Sequence, residues 1–301
     1  MAAVLGVGVY FMRRNKTTDD YYVGGRGMNS FHIGLSVVAT DVGGGFSIGL
    51  GGLGFLLGMS GSWMLLTGLI GAWLSAVFLI PKVATIGRQE KLLTFPQLFG
   101  KMYGPQAALI AGIISAIGYT GFTSSQLLAG AKLASATFID LNLNTALIIM
   151  GGIAVVYTVI GGLKAVIYTD TVQWAILLLS LIFIGIPVSY IKLGGWEAIS
   201  SALGPEFFSL TNVTWQDLVK WAVTIIPIWF VGMTLYQRIY AAKDIKTAKR
   251  AWYLAGLFEY PVMAFMGVTL GLLARVAADQ GMFAVAGYNS AAGMDHEMGL
   301  P

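Results

Sequence analysis

The sequence predicts an all-α integral membrane protein, and three observations carry that prediction. Hydrophobic residues make up 56% of the 301 and charged residues only 11%, with a mean hydropathy of +0.75, well outside the range of a soluble domain. Apolar runs of about 20 residues, the length that crosses the hydrocarbon core of a bilayer, recur along the whole chain. Lysine and arginine fall on alternate connections between those runs, as the excess on cytoplasmic loops requires.

Eight hydrophobic segments follow, at 1–12, 31–57, 62–81, 106–131, 145–161, 171–191, 218–240 and 251–274. The first is too short to cross unaided, and its cations Arg13, Arg14 and Lys16 come after the apolar stretch, so it reads as the end of a spanning helix and not as a signal peptide. Fourteen of the eighteen Lys and Arg residues lie on one set of alternating connections, and only Lys132, Lys192, Lys220 and Arg275 on the other. That split places the N-terminus outside a plasma or inner membrane and the loop 13–30 in the cytoplasm. The connection 192–217, with Gly194, Gly195 and Pro205, reads as turn material. After Ala274 the chain turns polar and stops at MDHEMGLP, so residues 1–301 read as a single transmembrane domain, incomplete at its C-terminus, without a soluble domain. The lipid bilayer is therefore a partner, and the net charge of +4 reports topology and gives no reason to expect nucleic acid. The absence of cysteine removes disulfides, thiolate metal sites and cysteine nucleophiles. No HExxH, GxSxG or P-loop is present, and 24-GGRGMN-29 lacks the strand–helix context of a dinucleotide site, so an enzyme is not expected.

Polar residues inside the apolar segments carry the functional reading. Asp41 lies mid-segment, where an ionised side chain costs about 2.5–3.5 kcal/mol to insert. Gly43, Gly44 and Gly45 follow it, each about 1 kcal/mol worse than alanine in a helix, so together they weaken one turn by about 3 kcal/mol. A helix broken there exposes carbonyls to a hard cation and amides to a polar solute. Glu259 lies eight residues beyond Ala251, about 12 Å along a helix and too deep to reach water, and Pro261 predicts a kink beside it. In the fourth segment Thr123, Ser124, Ser125 and Gln126 either line a wet cavity or bond back to their own helix; the sequence fits both. Phe122 and Trp229 are candidate cavity walls, and His32 reads as interfacial.

Three stretches, DYYVGGRGMNSFHIGLSVVATD, YTVIGGLKAVIYTDTVQ and YQRIYAAKDIKTAKRA, together resemble the sodium:solute symporter family, whose members include sodium/proline, sodium/pantothenate and sodium/glucose transporters. The resemblance implies a LeuT-type fold of two inverted five-helix repeats, with 31–191 as the first and the last two segments opening the second. It implies sodium as coupling ion, held by the carbonyls of Ala39 and Val42 beside Asp41, with Asp170 on the ion's path and Arg26 in the coupling loop. Gly43, Gly44, Phe122 and Trp229 match positions that line the substrate site, and Gln126 and Glu259 join them as candidate solute contacts. Where the galactose-transporting branch has a gating tyrosine and a sugar-contacting lysine, this chain has Ile228 and Glu259, which argues against a sugar. The family's ion site is completed by hydroxyls on a later helix, which would lie beyond residue 301. The expectation is a sodium-coupled symporter of a small solute working by alternating access; the alternatives are a transporter-like membrane sensor and a proton-coupled carrier using Asp41 or Glu259.

Overall fold

Runs rich in leucine, isoleucine, alanine and glycine satisfy their backbone polar groups internally as helices, the only open-chain solution at membrane depth. The computed structural model describes residues 2–41, 44–138, 140–284, 288 and 290–294, and no strand occurs among them. Helix α1 (Ala2–Met12) is followed by the short α2 (Thr18–Val23), whose start is fixed by a reciprocal capping box between Thr17 and Asp20. The second predicted segment is described as α3 (Ser30–Asp41) and α4 (Gly44–Leu57). The third becomes α5 (Trp63–Phe78), which leads into α6 (Ile80–Gln89), and α7 (Phe95–Tyr103) begins at a second capping box, Thr94 with Gln97.

Two very long helices come next, α8 (Pro105–Thr137) and α9 (Leu143–Ser180), the latter continuing through a π-turn, Leu181–Gly185, into α10 (Ile186–Lys192). The continuous stretch Leu143–Lys192 is 50 residues, about 75 Å at 1.5 Å per residue and more than twice the bilayer's apolar thickness of about 30 Å. It therefore holds two crossings, and Gly162, with φ 65° and ψ −171°, divides it where the sequence separates 145–161 from 171–191. Gly58, at φ +65°, likewise divides the 31-residue stretch Ile48–Phe78 into α4 and α5. The last elements are α11 (Gly195–Ala202), α12 (Trp215–Val231), α13 (Met233–Ala241), α14 (Ile245–Leu257) and α15 (Ala264–Asp279). Among the described residues four continuous helical stretches are long and apolar enough to cross, and α12 and α13, bent by 45° at Gly232, are so as well if the pair is one span. The expected kink near Pro261 is a π-turn, Phe258–Met263, with Tyr260 at φ −135° and ψ 121°.

The main core gathers α3, α5, α6, α12, α13 and α14, with Ile33, Leu65, Trp229, Tyr240 and Trp252 almost wholly buried. Helices α8 and α9 lie at the periphery and show apolar faces, including Leu109, Ile113, Ile117, Val172 and Ile176. The connection 192–217 differs from the simple turn expected of it, because it folds into α11 and a 3-10 turn, Pro205–Phe208, and docks on the α4–α5 turn. Ser60 Oγ donates to Ser209 O at 2.8 Å, and Trp63 Nε1 donates to Leu210 O at 2.7 Å. A Cβ on Gly58 would stand 2.1 Å from the carbonyl oxygen of Phe207, so only glycine permits this docking.

Gly162 combines a backbone conformation open essentially to glycine alone with close packing, since a Cβ there would lie 2.7 Å from Tyr21 O. Gly162→Ala is expected to destabilise the protein by about 1–3 kcal/mol. Gly152→Ala, in the same helix and with nothing within 4 Å, should be neutral or stabilising by up to about 1 kcal/mol. Parallel unfolding of the two variants in detergent checks this, and equal stabilities would refute the division at Gly162.

Candidate functional site

Helix α3 presents two hydroxyls, Ser36 and Thr40, one turn apart on the same face, just before Asp41. Opposite them, Asp170 projects from the second half of α9 and Arg238 from α13. Arg238 donates from Nε to Ser36 Oγ at 3.0 Å, from Nη2 to Thr40 Oγ1, and from Nη1 to the Thr234 carbonyl at 3.2 Å. Ser36 Oγ donates to Asp170 Oδ2, and Arg238 Nη2 stands 3.4 Å from that same oxygen. The two charged side chains are only 4% and 13% exposed, so a buried ion pair with hydroxyl partners joins three helices. Such a pair is stabilising only while complete: losing one partner leaves an uncompensated buried charge, at about 3–5 kcal/mol.

Below this network the connections are stitched by main-chain bonds. Arg26, at φ 55°, pairs with Asp19 at 2.7 Å and donates to the carbonyls of Gly87 and Leu92, at 3.2 and 2.9 Å. Met28 N donates to Ala241 O, Lys243 N to Met28 O, and Arg88 to Ala242 O. The loop containing Arg26 is thereby tied to both the α6–α7 and α13–α14 connections.

The bend at Gly232 leaves two half-helix ends to satisfy. Tyr236 OH donates to Phe230 O at 2.6 Å, and Thr234 N donates to Tyr119 OH at 3.2 Å, so a tyrosine from α8 occupies the start of α13. Next to Tyr119, a cleft of about 440 Å³ is lined by Thr120, Thr123 and Ser124. Thr120, Thr123 and Ser124 border this cleft, while Ser124 and Ser125 also donate back to the carbonyls of Thr120 and Phe122, at 2.8 Å each, as one of the two sequence readings expects.

The sequence-predicted residues separate into groups. Ala39 packs against the main core beside the ionic network. Val42, Gly43 and the side chain of Asp41 lie outside the described residues, and Gly44 opens α4. Phe122 is 43% exposed on α8 and Gln126 is partly buried there. Trp229 and Glu259, both fully buried, come together against α5, where Gly68 and Gly71 make a one-turn slot. A Cβ on Gly68 would lie 1.8 Å from Glu259 Oε1, and one on Gly71 would lie 2.5 Å from Trp229 Cδ1. Arg238, counted by the sequence only as a cation of the connections, is buried inside the protein near the end of α13.

A buried acid–base pair, a helix bent at Gly232 and all-helical packing call for comparison with ion-coupled carriers. The sodium:solute symporter family profile matches residues 21–294. The chain belongs to the sodium:solute symporter family. Among its relatives, the high-affinity proline transporter PutP of Bacillus subtilis is 27% identical over 256 residues, 82% of this chain and 54% of the relative. The osmoregulated proline transporter OpuE of the same organism is 32% identical over 64% of this chain and 40% of the relative. The sodium/proline symporter of Escherichia coli is 31% identical over 63% of this chain and 38% of the relative. This family member thus spans about half, or less, of the length of the curated relatives it matches. A Na+-coupled sialic acid symporter, solved substrate-bound and outward-open, shares the fold with a TM-score of 0.82 and 23% identity, over 100% of this chain and 63% of that one. The expected LeuT-type, all-α, multi-pass membrane architecture stands, and the symporter relatives are transporters, not enzymes.

Four residues of this site escaped the sequence reading, and each had a signal. Ser36 and Thr40 are hydroxyls at i and i+4, and Arg238 follows the Gly232 bend inside an apolar segment. Tyr119 sits in the polar stretch already singled out, four residues before Thr123. The slot on α5 gives a direct test of packing. Gly68→Ala should destabilise by about 1–3 kcal/mol by overpacking. Combined with Glu259→Ala, the loss should fall short of the sum of the single changes by about 1 kcal/mol, as contacting residues require. Additive losses in a denaturation cycle would separate the two positions.

Proposed function

We propose that the protein of which this chain is part is a sodium-coupled symporter of a small solute that works by alternating access. The observation that carries the reading is the buried Ser36–Thr40–Asp170–Arg238 network directly beneath Asp41, together with family membership. In this reading sodium binds where α3 gives way to α4, between the carbonyls of Ala39 and Val42, with Asp41 as organiser and Asp170 on the ion's inward path. The solute lies between that point and the Gly232 bend, near Phe122, Gln126, Trp229 and Tyr119. The N-terminus is outside, so the Arg26 loop is cytoplasmic, and the bonds from Arg26, Arg88 and Arg238 hold the cytoplasmic side closed. One charge moving down the membrane potential supplies about 2.3 kcal/mol per 100 mV, enough to concentrate a neutral solute severalfold to tens of fold.

Proline and sialic acid, the substrates in the relatives' names, both carry a carboxylate. Small carboxylates are therefore the first solutes to test.

Two measurements on the full-length protein in proteoliposomes decide the reading. Asp41→Ala should raise the sodium concentration for half-maximal solute binding about 10–100-fold, the worth of a charged ligand at about 1.5–3 kcal/mol. An unchanged sodium dependence would remove Asp41 from the ion site, and uptake driven by a pH gradient without sodium would put a proton in sodium's place. The absence of cysteine allows a single reporter, Ala242→Cys, on the closed side. Arg238→Gln should make that reporter react several times faster with a membrane-impermeant thiol reagent applied from the cytoplasmic face. Identical rates would mean that Arg238 does not hold that side shut.

A further inference from the structure

The turn after α1 encloses a second cleft, of about 390 Å³. One wall is Met12, Lys16, Thr18 and Tyr22, and the other is Ile160 at the end of the first half of α9. The turn is built rigidly onto that helix end: Asn15 Nδ2 donates to Gly161 O at 3.0 Å, and Tyr21 OH donates to Val159 O at 2.7 Å.

One cation, Lys16, lines the cleft, Arg13 and Arg14 precede it in the same exposed turn, and among the described residues none of the three makes an ion pair. The nearby acids are engaged elsewhere. Asp19 is held by Arg26, and Asp20 accepts from Thr17 N, Thr17 Oγ1 and Lys16 N at 2.9–3.2 Å. Arg14 lies over the Tyr10 ring at 4.5 Å, the posture of a cation reaching from an apolar helix toward headgroups. Below the cleft the surface is apolar and open, with Val9, Met12, Val155 and Val159 exposed. Cations and hydroxyls above an exposed apolar wall, at the end of a membrane helix, match one ligand chemistry: a phosphodiester headgroup continuous with acyl chains.

We propose that this cleft is a headgroup site for an anionic phospholipid. Lys16 and Thr18 hold the phosphate, Arg13 and Arg14 add attraction from the rim, and the chains run along Val155 and Val159. Occupancy braces the α1–α2 turn, from which the chain runs directly into the Arg26 loop.

The test is native mass spectrometry of the full-length protein titrated with phosphatidylglycerol or phosphatidylcholine of matched chains. Phosphatidylglycerol should bind more tightly. Lys16→Gln should weaken it about fivefold, the equivalent of about 1 kcal/mol for one cation near the surface. Arg13→Gln should act in the same direction, and Thr18→Val should weaken binding without changing charge. Lys246→Gln, an exposed cation on the side tied to this loop through Met28 and Ala242, should leave affinity unchanged. Equal affinity for the two lipids would overturn the proposal, and so would equal losses from Lys16→Gln and Lys246→Gln, the mark of diffuse surface charge. Competition by millimolar inorganic phosphate as strong as that by the lipid would also overturn it, assigning the cleft to a free anion.

Discussion

The interior of this helical bundle is organised around one ion pair, Arg238 with Asp170. Apolar packing can hold helices together in many registers, because lipid tails and leucine side chains are nearly equivalent surroundings. A buried guanidinium admits far fewer arrangements: each N–H must find an acceptor, and the charge must find its opposite. Arg238 meets these demands with Ser36, Thr40, the Thr234 carbonyl and Asp170. It thereby fixes the end of α3 against α13 and the second half of α9, so the point at which α3 leads toward α4 is set by polar geometry.

Around that pair, closeness is achieved by glycine. Gly68 and Gly71 admit Glu259 and Trp229 to the face of α5, and Gly256 receives the Trp73 indole, whose Nε1 also donates to Tyr253 O at 3.3 Å. Gly271 meets the Gly51 carbonyl so closely that a Cβ would stand 1.9 Å from its oxygen. In the bilayer such contacts replace the hydrophobic drive that assembles soluble helices, because dispersion rises steeply as backbones approach. The glycine content that weakens individual helices is thus the source of their association.

How much of this was legible in the sequence follows from the kind of signal each feature leaves. The length of the apolar runs separated 145–161 from 171–191, inside a stretch that is continuous as a helix, because a bilayer limits useful length. Asp170 was legible through a local motif. Arg238 was read only as a cation reporting topology, since charge counting along a chain cannot see a partner 68 residues away. Trp229 and Glu259 were each singled out for their chemistry, yet their common slot on α5 depends on glycines whose spacing looks like ordinary packing. The connection 192–217 was read as turns because its anchors, Ser60 and Trp63, lie almost 150 residues earlier.

The distribution of bonds within the network also says where a symporter would part. Arg238 is bound to α3 twice, through Ser36 and Thr40, whereas its contact with Asp170 is the longest at 3.4 Å. If the closed side opens, α3 and α13 can therefore move as one piece and keep both hydroxyl bonds, leaving the separation to fall at Asp170. That division loses one ion pair and the Ser36–Asp170 bond while sparing the bonds of Arg238 to Ser36, Thr40 and the Thr234 carbonyl. The remaining ties to be broken, Arg26 to Gly87 and Leu92 and Arg88 to Ala242, are hydrogen bonds from charged side chains to carbonyls that water can replace. The two ways of parting therefore differ in kind: separation at Asp170 keeps both hydroxyl bonds of Arg238 and gives up its counter-charge, whereas pulling α13 from α3 keeps the counter-charge and gives up both hydroxyls.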